Sequence, residues 1–298
     1  MVTYVITGGT GKTGKTLALQ LLQNGNKVRV VCRDAARAAE LKQKGAEVFA
    51  GDNLDEKFLN NVFMGADAVY VVLPIDMQAV DYTATQVAHA TAIKNAVVNQ
   101  GIKFVVTLSS VGAHLDKGTG VILGLHKLEE LFNEIPNINV RHLRATYFME
   151  NTLTQIQAIK NNGVMAGPEN GHQKFALVAA KDISQVAYNN LHALDFKGKS
   201  VQYVLGERDL SYDEIAEVYG RAIGNPNLKY FQVGKDDFFS TMTQMGASRN
   251  AASKFYEFTQ LINQGKVPGF YSRTKENSTP TSIEEFASSV FKSAFDGQ

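Results

Sequence analysis

At 298 residues the chain is long enough for a full parallel α/β sheet plus a smaller appended lobe. Thirty Lys+Arg against 29 Asp+Glu leave a formal charge of +1 with no basic tract, which argues against a nucleic-acid partner. The one cysteine, Cys32, excludes a disulfide framework and a multi-cysteine metal site and suits a reducing compartment. No apolar leader or bilayer-length run is present, so a cytoplasmic protein without membrane contact is expected.

Strands alternate with helical stretches through the first half. Residues 2–7 are apolar and β-rich, and 14–24 (GKTLALQLLQN) have helical spacing. Residues 27–32 (KVRVVC) read as a strand, 35–44 as a helix ending near Gly45, 46–50 as a short strand and 54–64 as a helix. AVYVVL at 68–73 reads as a fully buried strand, followed by a long helix over 83–100 that Gly101 closes. A buried strand at 104–109, a glycine-containing loop, a helix at 125–134 and a strand at 139–143 complete the pattern. Strand–helix repeats with short connections imply a doubly wound parallel sheet with helices on both faces.

After Asn151 the rhythm changes. Short helices, a Gly167-Pro168-Glu169-Asn170-Gly171 turn and an isolated strand at 175–178 appear. Residues 201–205 (VQYVL) read as one more sheet strand, and helices follow at 212–223, 235–245, 249–264 and 282–295. The expected division is a Rossmann domain over 1–150 with a returning strand near 200–206. Residues 151–298 then form a smaller α+β substrate lobe interleaved with the sheet.

The segment Thr7-Gly8-Gly9-Thr10-Gly11-Lys12-Thr13-Gly14-Lys15-Thr16 fits two phosphate motifs. Gly8, Gly11 and Gly14 give GxxGxxG, the short-chain-dehydrogenase form of the dinucleotide fingerprint, while Gly9, Gly14, Lys15 and Thr16 give GxxxxGK[ST]. Both place phosphate on backbone N–H groups at a helix N-terminus, with Thr10, Lys12 and Thr13 alongside. The next strand separates them. It ends at Arg33, 19 residues after Gly14, where a dinucleotide site meets the adenosine ribose. Arginine suits the 2′-phosphate of NADP, and Arg37 lies one helical turn on. Asp52 and Asn53 follow the third strand, where a carboxylate can accept from the adenine amino group. A nucleoside triphosphatase needs an acid ending a core strand to hold Mg²⁺. The strand at 68–73 runs into Leu73-Pro74 and that at 104–109 into Ser109-Ser110, leaving only Asp34 for that role. A glycine-rich turn that binds nothing is the remaining alternative.

Ser109 and Ser110 end a strand that faces the nicotinamide position. Short-chain dehydrogenases follow such a serine with Tyr-x-x-x-Lys, in which tyrosine donates the proton. Here the helix reads Leu123-Gly124-Leu125-His126-Lys127, so if Lys127 is that lysine the tyrosine position holds Leu123. Ketone reduction needs an acid, whereas a quinone yields a phenolate-type product that solvent protonates, so a planar conjugated substrate is favoured. Lys127 is then a ribose-holding or weakly acidic group, or else a surface lysine. His126 is a proton donor or a packed histidine. Ser109 reads more simply as a strand-end hydrogen-bonding residue than as a nucleophile. Tyr147 and Phe148 either stack against a planar substrate or pack between the lobes. Asp182 is expected as a helix N-cap, and His114 and His172 show no metal-ligand spacing, so no metal is expected.

Together the GGTGKTG loop, Arg33, Gly51-Asp52, LSSVG, GLHKLEE, RATYFMEN and AAKDISQVA resemble the NmrA-like branch of atypical short-chain dehydrogenases over nearly the whole chain. The resemblance implies a Rossmann domain, a small C-terminal lobe and NADP(H), the cofactor preferred in that branch. It also implies either a reductase of quinone-like or azo small molecules or a non-catalytic, dinucleotide-sensing regulator with a protein partner. One departure is Arg144-Ala145-Thr146, where relatives often carry Arg-Pro-Gly or Arg-Asn-Gly.

Overall fold

The computed structural model describes residues 1–297. In chain order the first half gives β1 (Thr3–Ile6), α1 (Lys12–Gln23), β2 (Lys27–Cys32), α2 (Ala39–Gln43), β3 (Glu47–Ala50) and α3 (Glu56–Phe63). It continues with β4 (Ala68–Val71), α4 (Tyr82–Asn99), β5 (Phe104–Ser110), α5 (Leu123–Asn133) and β6 (Asn139–Ala145). The second half gives β7 (Tyr147–Phe148), α6 (Ile156–Asn162), β8 (Met165–Gly167), β9 (Phe175–Val178), α7 (Ala180–Ala193), β10 (Lys199–Val204) and β11 (Asp209–Leu210). It ends with α8 (Tyr212–Ile223), β12 (Tyr230–Gln232), α9 (Lys235–Gln244), α10 (Arg249–Asn263), α11 (Ile283–Phe286) and α12 (Lys292–Asp296).

Seven strands form one parallel sheet in the order β10-β6-β5-β4-β1-β2-β3. Val5, Ile6, Val30, Val31, Val69, Tyr70, Val71, Val105 and Val106 are all buried, the continuous apolar pattern of strands covered on both faces. Helices start where the sequence supplies caps. Asp55 accepts from Lys57 and Phe58 N–H, Asp81 from Ala84 N–H, and Ser211 and Glu214 form a capping box on α8. The expected helix at 35–44 divides into a 3₁₀ turn, Ala35–Ala38, and α2, because the Asp34 carboxylate accepts from Ala36 N–H and tightens the start. The expected helix at 282–295 contains a π turn at Ala287–Phe291.

The lobe consists of a three-stranded sheet, β11-β9-β7, a parallel β8–β12 pair and the C-terminal helices around their own apolar core. The division at residue 150 needs adjusting, because α7 belongs to the Rossmann layer as well as β10. Ile183, Ala187 and Leu191 recur every four residues along one face of α7 and share a core with Leu17, Leu21 and Tyr4. Tyr4 OH donates to Leu191 O at 2.9 Å, and Ser184 Oγ donates to Thr13 O at 3.0 Å. Among the described residues no helix is long and apolar enough to cross a membrane.

Candidate functional site: a glycine cradle where the sheet reverses

β1 lies between β2 and β4, so the connections leaving β1 and β4 run to opposite sides and open a crevice at the strands' carboxyl ends. Thr7 locks that point. Its Oγ1 accepts from Val72 N–H at 2.8 Å and donates to Val72 O at 3.2 Å. The loop from Gly8 to Gly11 follows, and α1 begins at Lys12.

Two glycines are sterically required. Gly8 has φ +65°, a left-handed conformation that side chains resist. A Cβ on Gly14 would lie 2.5 Å from Gly8 O and 3.0 Å from Gly9 Cα, both backbone atoms that cannot swing aside. The loop is held by Gly9 N–H to Val31 O (3.2 Å) and Gly11 N–H to Gly8 O (2.9 Å). Lys15 N–H to Gly11 O is the first bond of the helix, so the N–H groups of Lys12, Thr13 and Gly14 remain for an external acceptor. They converge with the positive end of the helix dipole, as an anion-binding terminus requires. The Thr13 side chain takes no part. It is buried and its Oγ1 accepts from Tyr70 OH at 3.2 Å.

The triphosphatase motif does not survive this geometry. Gly14, Lys15 and Thr16 lie inside α1 rather than at its start, and Lys15 Nζ is turned outward to Glu40 at 2.6 Å.

At the end of β2, Arg33 and Arg37 are exposed, and neither forms an ion pair among the described residues. Asp52 Oδ1 accepts from Leu54 N–H at 2.9 Å, shaping the turn after β3 in which Asn53 is half-buried. His89 on α4 belongs to this end and went unread in the sequence, since a lone histidine on a helix carries no positional signal. Burial pushes its pKa down. The Asp52 charge opposes that, Arg33 reinforces it and Asp76 opposes it, so these four groups share one neighbourhood. Its Nδ1 is buried without a hydrogen-bond partner among the described residues. Leu73, buried, and Pro74, half-buried, form the wall after β4.

The opposite end differs more from expectation. Ser109 Oγ donates to Glu129 Oε1 at 2.5 Å, and Arg144 donates to both Glu129 oxygens from Nε (3.0 Å) and Nη2 (2.6 Å). Ser109 is therefore part of a buried ionic clasp joining α5, β5 and β6, the hydrogen-bonding role rather than the nucleophilic one. Lys127 Nζ pairs with Glu130 at 2.7 Å on a half-exposed flank of α5. His126 Nδ1 donates to Ala113 O at 2.9 Å, which leaves Nε2 facing Glu130 at 3.2 Å. Tyr147 packs edge-on against Phe175 in the lobe core and accepts from Tyr212 OH at 3.3 Å. Burial, helped by the Glu169 charge, pushes the Tyr147 phenol well above its ordinary range. Phe148, next along β7, packs instead with the Rossmann cluster that includes Val72 and Leu108. Alternation along the strand thus gives Tyr147 to the lobe and Phe148 to the Rossmann side.

Asp182 does not cap α7. Its carboxylate accepts from Thr281 N–H (3.1 Å) and Oγ1 (2.8 Å), while Ala179 holds the N-cap position. Glu150 does that work, accepting from Ala180 N–H at 3.0 Å on each oxygen. Its role was not legible because it lies 30 residues upstream of the helix it serves.

Comparison with known proteins agrees with this architecture. The family model described as NmrA-like matches residues 2–287. The chain is 28% identical over 265 residues to an NAD(P)H azoreductase of Xenophilus azovorans, covering 89% of both chains. A structure of an NADPH-dependent quinone oxidoreductase of Escherichia coli with NADPH superposes with a TM-score of 0.80 at 20% identity, covering 97% of this chain and 99% of that one. The negative transcriptional regulator NmrA, solved with NADP, superposes at 0.76 and 16% identity, covering 99% and 97%. With a model match that spans both the Rossmann sheet and the lobe, the chain belongs to the NmrA-like family.

Proposed function

We propose that the chain is an NADPH-dependent oxidoreductase that reduces quinone-like or other conjugated, planar small molecules. The observation that carries the reading is the glycine cradle at the sheet reversal with two unpaired arginines just past β2. The three free N–H groups at the start of α1 hold a pyrophosphate. Arg33 and Arg37 take the 2′-phosphate, Asp52 and Asn53 meet the adenine, and Leu73 and Pro74 wall the intervening sugar. When bound, reduced nicotinamide supplies a hydride at the carboxyl ends of β4–β6, where Phe148 offers an apolar face. The protein's contribution is placement and exclusion of water rather than proton donation. Ser109, His126, Lys127 and Tyr147 are all engaged in other contacts, and Tyr147 is a weaker acid than free tyrosine. A product whose oxyanion is stable enough for solvent to protonate suits that equipment. The azoreductase and quinone oxidoreductase among the similar proteins support the same class.

The same lack of a free acid favours a second reading, a dinucleotide-sensing regulator with a protein partner, as the likeness to NmrA suggests. Steady-state oxidation of NADPH across a panel of benzoquinones, naphthoquinones and azo dyes separates the two. Turnover of at least one acceptor supports the reductase. NADPH binding without turnover of any acceptor overturns it in favour of the regulator.

A further inference from the structure

The Lys12 side chain does not run toward Arg33 and the ribose end. It crosses from the phosphate loop to the first residues of the lobe, where Nζ donates to Asn151 Oδ1 at 3.1 Å across 139 positions of sequence. Beside Asn151, Glu150 is fixed to the N-terminus of α7 through two 3.0 Å bonds from Ala180 N–H. α7 is held in turn against α1 by Ser184, whose one hydroxyl proton is shared between Ala180 O (2.8 Å) and Thr13 O (3.0 Å), and by the packing of Ile183, Ala187 and Leu191. These contacts close a ring: phosphate loop, α1, α7, Glu150, Asn151, Lys12. Glu150–Ala180 and Ser184–Thr13 are part-buried or buried. Lys12–Asn151 is the exposed link.

An ammonium has three donors, and Asn151 uses one. Lys12 is also the first residue of α1, so an anion seated on that helix terminus comes within reach of the same ammonium. We propose that Lys12 is a positioning residue that couples cofactor to substrate shelf. It binds the pyrophosphate and Asn151 at once, so that cofactor binding tightens the exposed link between the phosphate loop and the segment 147–155 that carries Phe148. This rests on the reading of the glycine loop as a dinucleotide site. The consequence is that cofactor and substrate each strengthen the binding of the other, because coupling between two sites is reciprocal.

Hydrogen exchange of the full chain with and without saturating NADPH tests this independently of turnover. In the wild type, NADPH slows exchange both in residues 8–14 and, by at least about threefold, in 147–155. Asn151→Ala keeps the protection of 8–14 and NADPH affinity within about threefold, but loses the NADPH-dependent protection of 147–155. Lys12→Met weakens NADPH by about tenfold and, once saturated, also leaves 147–155 unprotected, whereas Lys12→Arg retains protection. Protection of 147–155 by NADPH that persists in both Asn151→Ala and Lys12→Met overturns the coupling. So does a wild type in which 8–14 is protected and 147–155 is not. A wild type in which NADPH protects neither segment overturns the dinucleotide reading itself.

Discussion

The clasp of Glu129 with Arg144 and Ser109 fixes α5 against β5 and β6, at the end of the crevice where the nicotinamide is proposed to lie. Glu129→Gln removes its charge while keeping its shape. Glu129 is buried and Arg144 half-buried, with side-chain exposures of 6% and 12%, and three donors converge on the carboxylate at 2.5–3.0 Å. Removing one partner of a buried pair costs about 3–5 kcal/mol, because the other charge is left uncompensated in a poor solvent. Arg144 keeps the Tyr203 hydroxyl at 3.3 Å and its ring face at 5.9 Å, which places the expected loss near the lower end, about 3 kcal/mol. Against a typical stability of about 5–15 kcal/mol this is a large fraction. It corresponds to a fall in Tm of about 5 °C for a chain of 298 residues. Urea unfolding followed by circular dichroism reads it as a lower midpoint at unchanged slope. The double replacement Glu129→Leu with Arg144→Met should recover most of the loss, since well-packed apolar substitutes for a buried pair are often neutral. A loss below about 1 kcal/mol in Glu129→Gln would refute the argument.

His142 is buried between Thr107 Oγ1 (2.8 Å) and Asn133 Oδ1 (3.1 Å), and burial pushes its pKa down to about 4. Its neutral form is favoured on folding. That stability is complete above the unfolded value near 6.5 and is lost as pH falls from there to about 4, in total about 3 kcal/mol. Denaturant midpoints of the wild type and His142→Gln between pH 7 and 4 check this, and curves that stay parallel throughout would contradict it. Tyr147→Phe should lower kcat by less than about tenfold, because a phenol with a raised pKa is a poor general acid, while a genuine proton donor contributes about 10²–10⁴. A drop beyond about a hundredfold at unchanged stability would restore Tyr147 as the donor.

Much of the sheet was legible because its signals are local. The strands at 68–71 and 104–110 announce themselves as short valine-rich apolar stretches, and Gly8, Gly11 and Gly14 mark the turn after β1. β8 and β12 were not, since three residues carry no periodicity and each is defined only by its partner. Residues 180–193 fall within the expected lobe only by their place in the chain, whereas Ile183, Ala187 and Leu191 of α7 pack against α1. The site divides the same way. Arg33 is found by its spacing from the glycines, whereas Glu129, Glu150, Asn151 and His89 act through contacts with residues far away in sequence. The candidates chosen by residue type alone, Ser109, Lys127 and Tyr147, are held in contacts that no motif encodes.

The proposed function turns on an NADP-type site read by Arg33. Two charge-assisted bonds from an exposed guanidinium to a 2′-phosphate contribute about 1.5–3 kcal/mol, or about 10- to 150-fold in affinity. The most direct test is the dissociation constants of NADPH and NADH, measured by nicotinamide fluorescence for the wild type and Arg33→Asp. The account predicts that the wild type favours NADPH by at least about tenfold. In the variant that ratio narrows or inverts, because a carboxylate repels the phosphate and accepts from the ribose hydroxyls of NADH, while Arg37 limits the change. Equal affinity of the wild type for both, or an NADPH preference untouched by Arg33→Asp, would contradict it.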